Sequence, residues 1–283
     1  MERRKFGIYD EDAAAYTLTH DAGFFSNVVV GVLDILILLS ERKAVCAFDG
    51  RRSFTIYADA VDQDVYGEFF VNDDAIDLGM EVAAGRVREK DRPEYAKFGR
   101  KTFAGWPIEA ASGVFSKFFT FAPPARQEVK HAADGLGLDF SKTACIYYRA
   151  TDKANEFALT PVEAYIARCE RLIAQEPDLK VLAQSDDVAA RDAIMSHFGS
   201  RAVCLPDVPI SRDGQPLHLG TKSNRLANVK PFITAFGLMV QCKYIICTSS
   251  NVSFAMALAR KSGDNMSVFY SNGRSVDYLD YGR

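Results

Sequence analysis

The sequence predicts an α/β protein built from two Rossmann-like units, and three observations carry that prediction. Between residues 143 and 260, short β-prone apolar runs alternate with helical patterns, the signature of a parallel sheet with crossover helices. The first fifty residues open in a similar order: strand, glycine turn, long apolar helix, strand. Asp134-Gly-Leu-Gly-Leu138 reads as a helix end and hinge. A chain of 283 residues is long enough for two domains of ordinary size, here 1–140 and 141–283.

Taken in order, Tyr16 to Thr19 is the first strand. His20-Asp-Ala-Gly-Phe-Phe-Ser26 is a turn in which Gly23 supplies backbone freedom, and Ser26 or Asn27 caps the helix that follows. Val28 to Leu39 is apolar on nearly all sides and must be covered on most faces. Ala44 to Phe48 completes a βαβ start. Residues 50–125 are less regular. Asp59, Asp62, Asp64, Asp73, Asp74 and Asp77 fit no calcium loop and read as solvated turns. Phe115 to Phe121 is an aromatic packing segment, and a helix begins near Ala125 after Pro123-Pro124. Thr143 to Tyr148 is a buried strand. Thr160-Pro161-Val-Glu163 starts a helix to Gln175, with Thr160 as cap. Strand Lys180 to Gln184, helix Val188 to Phe198, strand Ala202 to Leu205, helix Val229 to Gln241, strand Lys243 to Cys247 and helix Val252 to Ala259 complete the alternation.

Composition narrows the function. Hydrophobic residues make up 48% and charged residues 25%, a folded globular mix. The net charge of −3 gives no basic field for nucleic acid, so any phosphate must be held by a few placed cations and backbone N–H groups. The six cysteines form no CxxC pair and read as buried thiols of a reducing compartment. The four histidines lack ligand spacing, so no metal site is expected from protein side chains. The N-terminus has no apolar leader. The longest apolar run is about twelve residues where a membrane span needs ~20, so a cytoplasmic protein is expected.

Three polar stretches follow strands whose carboxyl ends would share one edge of a parallel sheet, where open α/β folds bind ligands. Arg149, Thr151, Asp152, Lys153 and Glu156 follow the first; Arg149 suits a diphosphate oxygen or a surface ion pair with a neighbouring acid, and Glu156 is a candidate general base or a solvated loop carboxylate. Asp186 and Asp187 follow the second, suited to a ribose or base, or to helix capping. Thr248, Ser249, Ser250 and Asn251 follow the third and open a helix, a place for phosphate or for simple capping. Neither a Walker loop nor a GxGxxG fingerprint occurs. Together the three stretches favour a nucleotide-binding crevice. A GT-B-like arrangement fits: two Rossmann-like domains with parallel sheets facing a central cleft, the nucleotide on the C-terminal half.

Tyr147-Tyr148-Arg149-Ala150-Thr151-Asp152-Lys153, with Glu156 following, resembles the His-Val-Arg-Arg-Thr-Asp-Lys motif of the α1,6-fucosyltransferases, the core and nodulation enzymes. Pro161-Val-Glu-Ala-Tyr165, Ser185-Asp186-Asp187 and Ile246-Cys-Thr-Ser-Ser-Asn-Val252 resemble that family's following segments, and Ala22-Gly-Phe-Phe-Ser26 its N-terminal glycine turn. The resemblance spans roughly residues 143–260 and one N-terminal motif. It implies an inverting glycosyltransferase without an obligatory metal or other cofactor, acting on a nucleotide-sugar donor and a glycan acceptor. GDP-fucose is the first donor implied; a UDP-sugar such as UDP-xylose, or a non-catalytic sugar-binding module, is the alternative. Arg149 matches the diphosphate ligand, Glu156 the base, and Ser249 or Ser250 the phosphate or sugar contact. Thr151, Asp152, Lys153, Asp186, Asp187, Thr248 and Asn251 fall on the donor side, and His20, Gly23, Phe24 and Ser26 on the acceptor side. The chain departs from the family at Tyr147, where the family has His, and at Ala150, where it has a second Arg. An Asp of the family falls near Ala235. These departures bear on the nucleotide and the sugar more than on glycosyl transfer.

Overall fold

The structure is a computed structural model that describes residues 1–91, 107–150, 159–210, 224–269 and 275–277. The chain divides into two compact units. The first holds residues 1–125 and takes back 250–263, and the second holds 126–249 and the described residues from 264 on.

In the first unit, strands β1 (Glu2–Arg3), β2 (Gly7–Asp10), β3 (Ala15–Leu18) and β4 (Ala47–Asp49) form one sheet in that order. Helix α1 (Phe24–Ser40) connects β3 to β4, which pair in parallel, so the expected βαβ start is present. The antiparallel pairings of β1 with β2 and β2 with β3 lie outside that expectation and make this sheet mixed. A Cβ at Gly7 would collide with the Tyr16 hydroxyl and the Thr17 carbonyl, so only glycine allows β2 to lie this close to β3.

Val28 to Leu36 of α1 are all buried. The covering comes from β3 and from helices α4 (Ile108–Phe118) and α9 (Asn251–Arg260), which also pack on each other. The short helices α2 (Val65–Phe69) and α3 (Gly79–Ala83) and the small β5 (Phe70–Val71)–β6 (Thr120–Phe121) ladder fill the acidic, aromatic middle. The acids there shape turns: Asp64 caps α2 through Gly67 N–H at 2.8 Å, and Asp77 accepts from Gly79 N–H at 2.8 Å.

Two sequence expectations for the start of α1 are corrected. Gly23 sits at φ −55°, and a Cβ there would meet nothing within 4 Å, so no special backbone freedom is used. Ser26 and Asn27 lie inside the first turn and do not cap it. Asn27, fully buried, turns its amide back onto Ala22, accepting from the N–H at 2.9 Å.

In the second unit, helix α5 (Pro123–Leu136) carries the chain in, and the sheet order is β12-β11-β10-β7-β8-β9. The strands are β7 (Thr143–Tyr148), β8 (Lys180–Ser185), β9 (Ala202–Val203), β10 (Tyr244–Thr248), β11 (Met266–Phe269) and β12 (Ser275–Asp277). The first five run parallel, and β12 is antiparallel to β11. Helices α6 (Val162–Gln175), α7 (Val188–Phe198) and α8 (Arg225–Met239) fall where helical patterns were expected, with α8 starting one turn early. Tyr165, Ile166, Cys169 and Leu172 share one face of α6 and pack on Ala144, Ile146, Tyr148, Val181 and Ala183, alternate residues of β7 and β8. Thr160 does not cap α6; Pro161 occupies that position in an extended conformation. All six cysteines are free, but Cys46 is exposed and Cys204 half-buried, so the buried-thiol reading holds for the other four.

One buried carboxylate ties the first unit together. Asp34 of α1, 2% exposed, accepts the Tyr16 O–H at 2.7 Å and the Phe6 N–H at 3.2 Å through the same oxygen. Burial pushes its carboxyl above the ordinary value, against the pull of those two donors. A raised native value means the folded protein binds the proton more tightly than the unfolded chain. The associated stability is therefore full below the unfolded value of about 4 and is lost as pH rises through the native one. Asp34→Asn should flatten this component in denaturation curves measured across pH. Asp34→Ala, which takes the acceptor from the buried Tyr16 O–H and the half-buried Phe6 N–H, should cost about 1–3 kcal/mol at any pH.

Candidate functional site

The candidate site is the carboxyl edge of the second unit's sheet. Parallel pairing puts Tyr147 opposite Cys247 on one side and Tyr148 opposite Ser185 on the other, so the chain leaves β7, β8 and β10 at one edge. The residues that follow these strands are Arg149, Asp186 and Ser249.

The first two residues past β7 are clamped from both neighbours. Arg149 N–H donates to Thr248 Oγ1 at 3.0 Å, and Ala150 N–H donates to Asp186 Oδ1 at 2.8 Å. Thr248 Oγ1 is also 2.9 Å from the Tyr165 hydroxyl, which reaches it from the buried face of α6. Tyr165 is wedged edge-on to Tyr148 and stacked on Phe269 at 4.2 Å. Burial pushes its phenol upward, so the hydroxyl stays protonated, and either oxygen can be the donor of its bond with Thr248. The Arg149 Nε lies 3.6 Å from Asp186 Oδ2, with the two side chains 21% and 13% exposed. The guanidinium is thus oriented by a carboxylate while part of it stays open to solvent.

The remaining donor-side residues separate by what their side chains already do. Asp187 caps α7, accepting from Ala190 N–H at 2.8 Å, as the capping reading of the sequence allowed. Ser250 and Ser253 form a reciprocal capping box at the start of α9, which consumes the Ser250 hydroxyl. Ser249 donates its N–H to the Phe269 carbonyl at 2.9 Å, and its hydroxyl has no partner among the described residues. Asn251 is half-buried and opens α9. Thr151, Asp152, Lys153 and Glu156 lie outside the described residues.

On the first unit, His20 is half-buried, edge-on to Phe6, with Nε2 3.5 Å from Ser26 Oγ. Burial pulls its imidazole below the ordinary value, against Asp21 and Asp34, so the ring is neutral at neutral pH. Phe24 is 3% exposed and belongs to an aromatic cluster with Phe25, Phe54, Tyr57, Phe69 and Phe70. No cluster of three or more metal-ligating side chains occurs among the described residues. No helix among them is long and apolar enough to cross a membrane.

Comparison with known proteins places this edge in a wider frame. No protein-family model matches the sequence, and no curated protein matches it. Among solved structures, the NodZ α1,6-fucosyltransferase soaked with GDP-fucose matches with a TM-score of 0.54 and 12% identity, covering 91% of this chain and 96% of that one. The chain shares the NodZ fold. Fucosyltransferase NodZ from Bradyrhizobium matches at TM-score 0.54 and 11% identity over 91% and 95% of the two chains. NodZ co-crystallised with GDP matches at TM-score 0.53 and 14% identity over 91% and 95%. The α/β fold of GT-B type expected from the sequence is therefore observed, with the parallel sheet in the second unit and a mixed sheet in the first where a parallel one was expected.

The Tyr165–Thr248 link escaped the sequence reading, in which Tyr165 figured only as the end of the Pro161-Val-Glu-Ala-Tyr165 segment. Its signal is a polar-tipped aromatic on the buried face one turn into a helix. The clamp makes a direct prediction. Thr248→Val keeps the shape but leaves the Arg149 N–H and the Tyr165 O–H unpaired. It should cost about 1–3 kcal/mol by denaturant titration and speed amide exchange at Arg149, with Thr248→Ser close to wild type. Unchanged exchange in Thr248→Val would remove the clamp.

Proposed function

We propose that this chain is an inverting glycosyltransferase that moves a sugar from a nucleotide-sugar donor to a glycan hydroxyl, with fucose from GDP-fucose as the first donor to test. The observation that carries this reading is the oriented, partly open Arg149 at the carboxyl edge of a parallel sheet, in a chain with the NodZ fold. The structures of that fold include one described with GDP-fucose and one with GDP.

In the proposed reaction the acceptor hydroxyl gives its proton to Glu156, and its oxygen bonds to the anomeric carbon. The bond from that carbon to the diphosphate oxygen breaks on the opposite face, and the electron pair leaves with the nucleoside diphosphate. Inversion follows from the single displacement. Charge developing on the leaving group meets Arg149, Lys153 and the Ser249 hydroxyl, without an obligatory metal. Asp186 holds Arg149 and the Ala150 backbone in place before the donor arrives, so little reorganisation is needed during reaction. Thr151, Asp152 and Asn251 complete the donor side, while Asp187, whose carboxylate caps α7, bounds it. His20 and Ser26, with Gly23 and Phe24 shaping their turn, are the acceptor-side residues of the first unit.

A donor screen tests this. Purified protein incubated with GDP-fucose, other GDP-sugars and UDP-sugars including UDP-xylose, with a glycan acceptor, should release diphosphate from one donor. Arg149→Ala should lower that turnover by about 10²–10³-fold and Glu156→Ala by about 10²–10⁴-fold. Release from a UDP-sugar alone would keep the chemistry and change the nucleotide. Binding without release would favour a sugar-binding module. No binding and no release with every donor would sink the proposal.

A further inference from the structure

A cavity of about 250 Å³ lies in the first unit beside the C-terminal end of α1, and none of its lining residues takes part in the proposed reaction. Apolar walls come from Leu39, Val45, Ile76 and Val82. Its cations are what single it out.

Lys117, in the last turn of α4, lines the cavity and is only 5% exposed. Its Nζ donates to the Ile76 carbonyl at 2.7 Å and the Asp73 carbonyl at 3.4 Å, and lies 5.5 Å from the Phe118 ring centroid. No carboxylate among the described residues pairs with it. An ammonium buried among carbonyl dipoles is under-neutralised, and its third N–H has no acceptor among the described residues. Arg42 also lines the cavity; it is exposed, and its guanidinium has no hydrogen bond or ion pair among the described residues. The other charged lining groups are already engaged. Lys43 pairs with Glu2 and, at 3.8 Å, with Glu41, and Asp77 accepts from Gly79 N–H at 2.8 Å.

Two uncompensated cations thus meet an apolar wall in a cavity below the ~300 Å³ at which drug-sized clefts begin. We infer that this cavity binds a small amphipathic anion, a phosphate monoester or carboxylate whose charged head sits between Lys117 and Arg42 and whose short apolar body lies along Leu39, Val45 and Val82. The head supplies the acceptor that the Lys117 ammonium lacks, and the body fills the apolar remainder. A purely structural Lys117 would tie down the 73–76 turn and bind nothing.

Isothermal titration of the full chain with butyl phosphate and with hexanoate, at ionic strength held constant by sodium chloride, separates the two cases. Saturable binding of either anion is expected, with none for butanol. Arg42→Ala, an exposed change that leaves the fold intact, should weaken binding by about tenfold or more, and Lys117→Met at least as much where circular dichroism shows it folded. Should Lys117→Met fail to fold, Arg42→Ala decides alone. No saturable binding of either anion, or undiminished affinity in Arg42→Ala, overturns the inference. The outcome does not depend on donor turnover.

Discussion

Strand β7 is the constraint on which the second unit depends. All six of its residues are buried, and it pairs in parallel register with β10 on one side and β8 on the other. A central parallel strand has no free edge, so its register is set twice over, and a slip would turn its α6-facing side chains to the opposite face. The residues that follow inherit that precision. Where the ladder ends, Thr248 takes over the Arg149 N–H and Asp186 the Ala150 N–H, one acceptor from each flanking strand. The polarity of the site is therefore a continuation of the sheet's hydrogen bonding by side chains.

The alternating part of the fold was legible because helix and strand periods differ and both were clean. Residues 188–198 matched to the residue, since Asp187 and Gly199 punctuate that helix at both ends. What was missed includes strands β2 and β11, the helix α4 hidden behind the aromatic segment 115–121, and the short edge strands. β1 and β12 are two and three residues long, and no period can be read from so few positions. The caps were misplaced where a good capping residue lay close to a helix start without being used. Asn27 was drawn instead onto Ala22, and Thr160 was pre-empted by Pro161, which sits at the N-cap with a non-helical ψ of 146°.

The site was legible as a location and less so as a set of roles. Sequence position brought Arg149, Asp186 and Thr248 to one edge, and the structure joins them by direct hydrogen bonds and an ion pair. Polar residues at a strand end, though, are shared between ligand and scaffold, and the sequence carries no label for which is which. The Thr248 hydroxyl serves Arg149 and Tyr165, and the hydroxyl of Ser250 serves its helix, as does the Asp187 carboxylate. Of the hydroxyl-rich run 248–250, only the Ser249 hydroxyl has no partner among the described residues, so the two serines differ in what they already hold.

That division of labour bears on how a protein of net charge −3 would hold a diphosphate. No long-range field draws the anion in, so affinity must come from contact. Arg149 is itself half-answered by Asp186, which lowers the local positive charge a ligand meets. What the pair gains is orientation: an ion pair at 3.6 Å biases the direction in which the planar guanidinium points. A flexible arginine would attract any anion and lose side-chain entropy on each binding event, about 1.5–2 kcal/mol for so long a chain. Held by Asp186 and anchored through its own backbone to Thr248, Arg149 has met most of that cost during folding, and the ion pair is better understood as aiming the cation than as neutralising it.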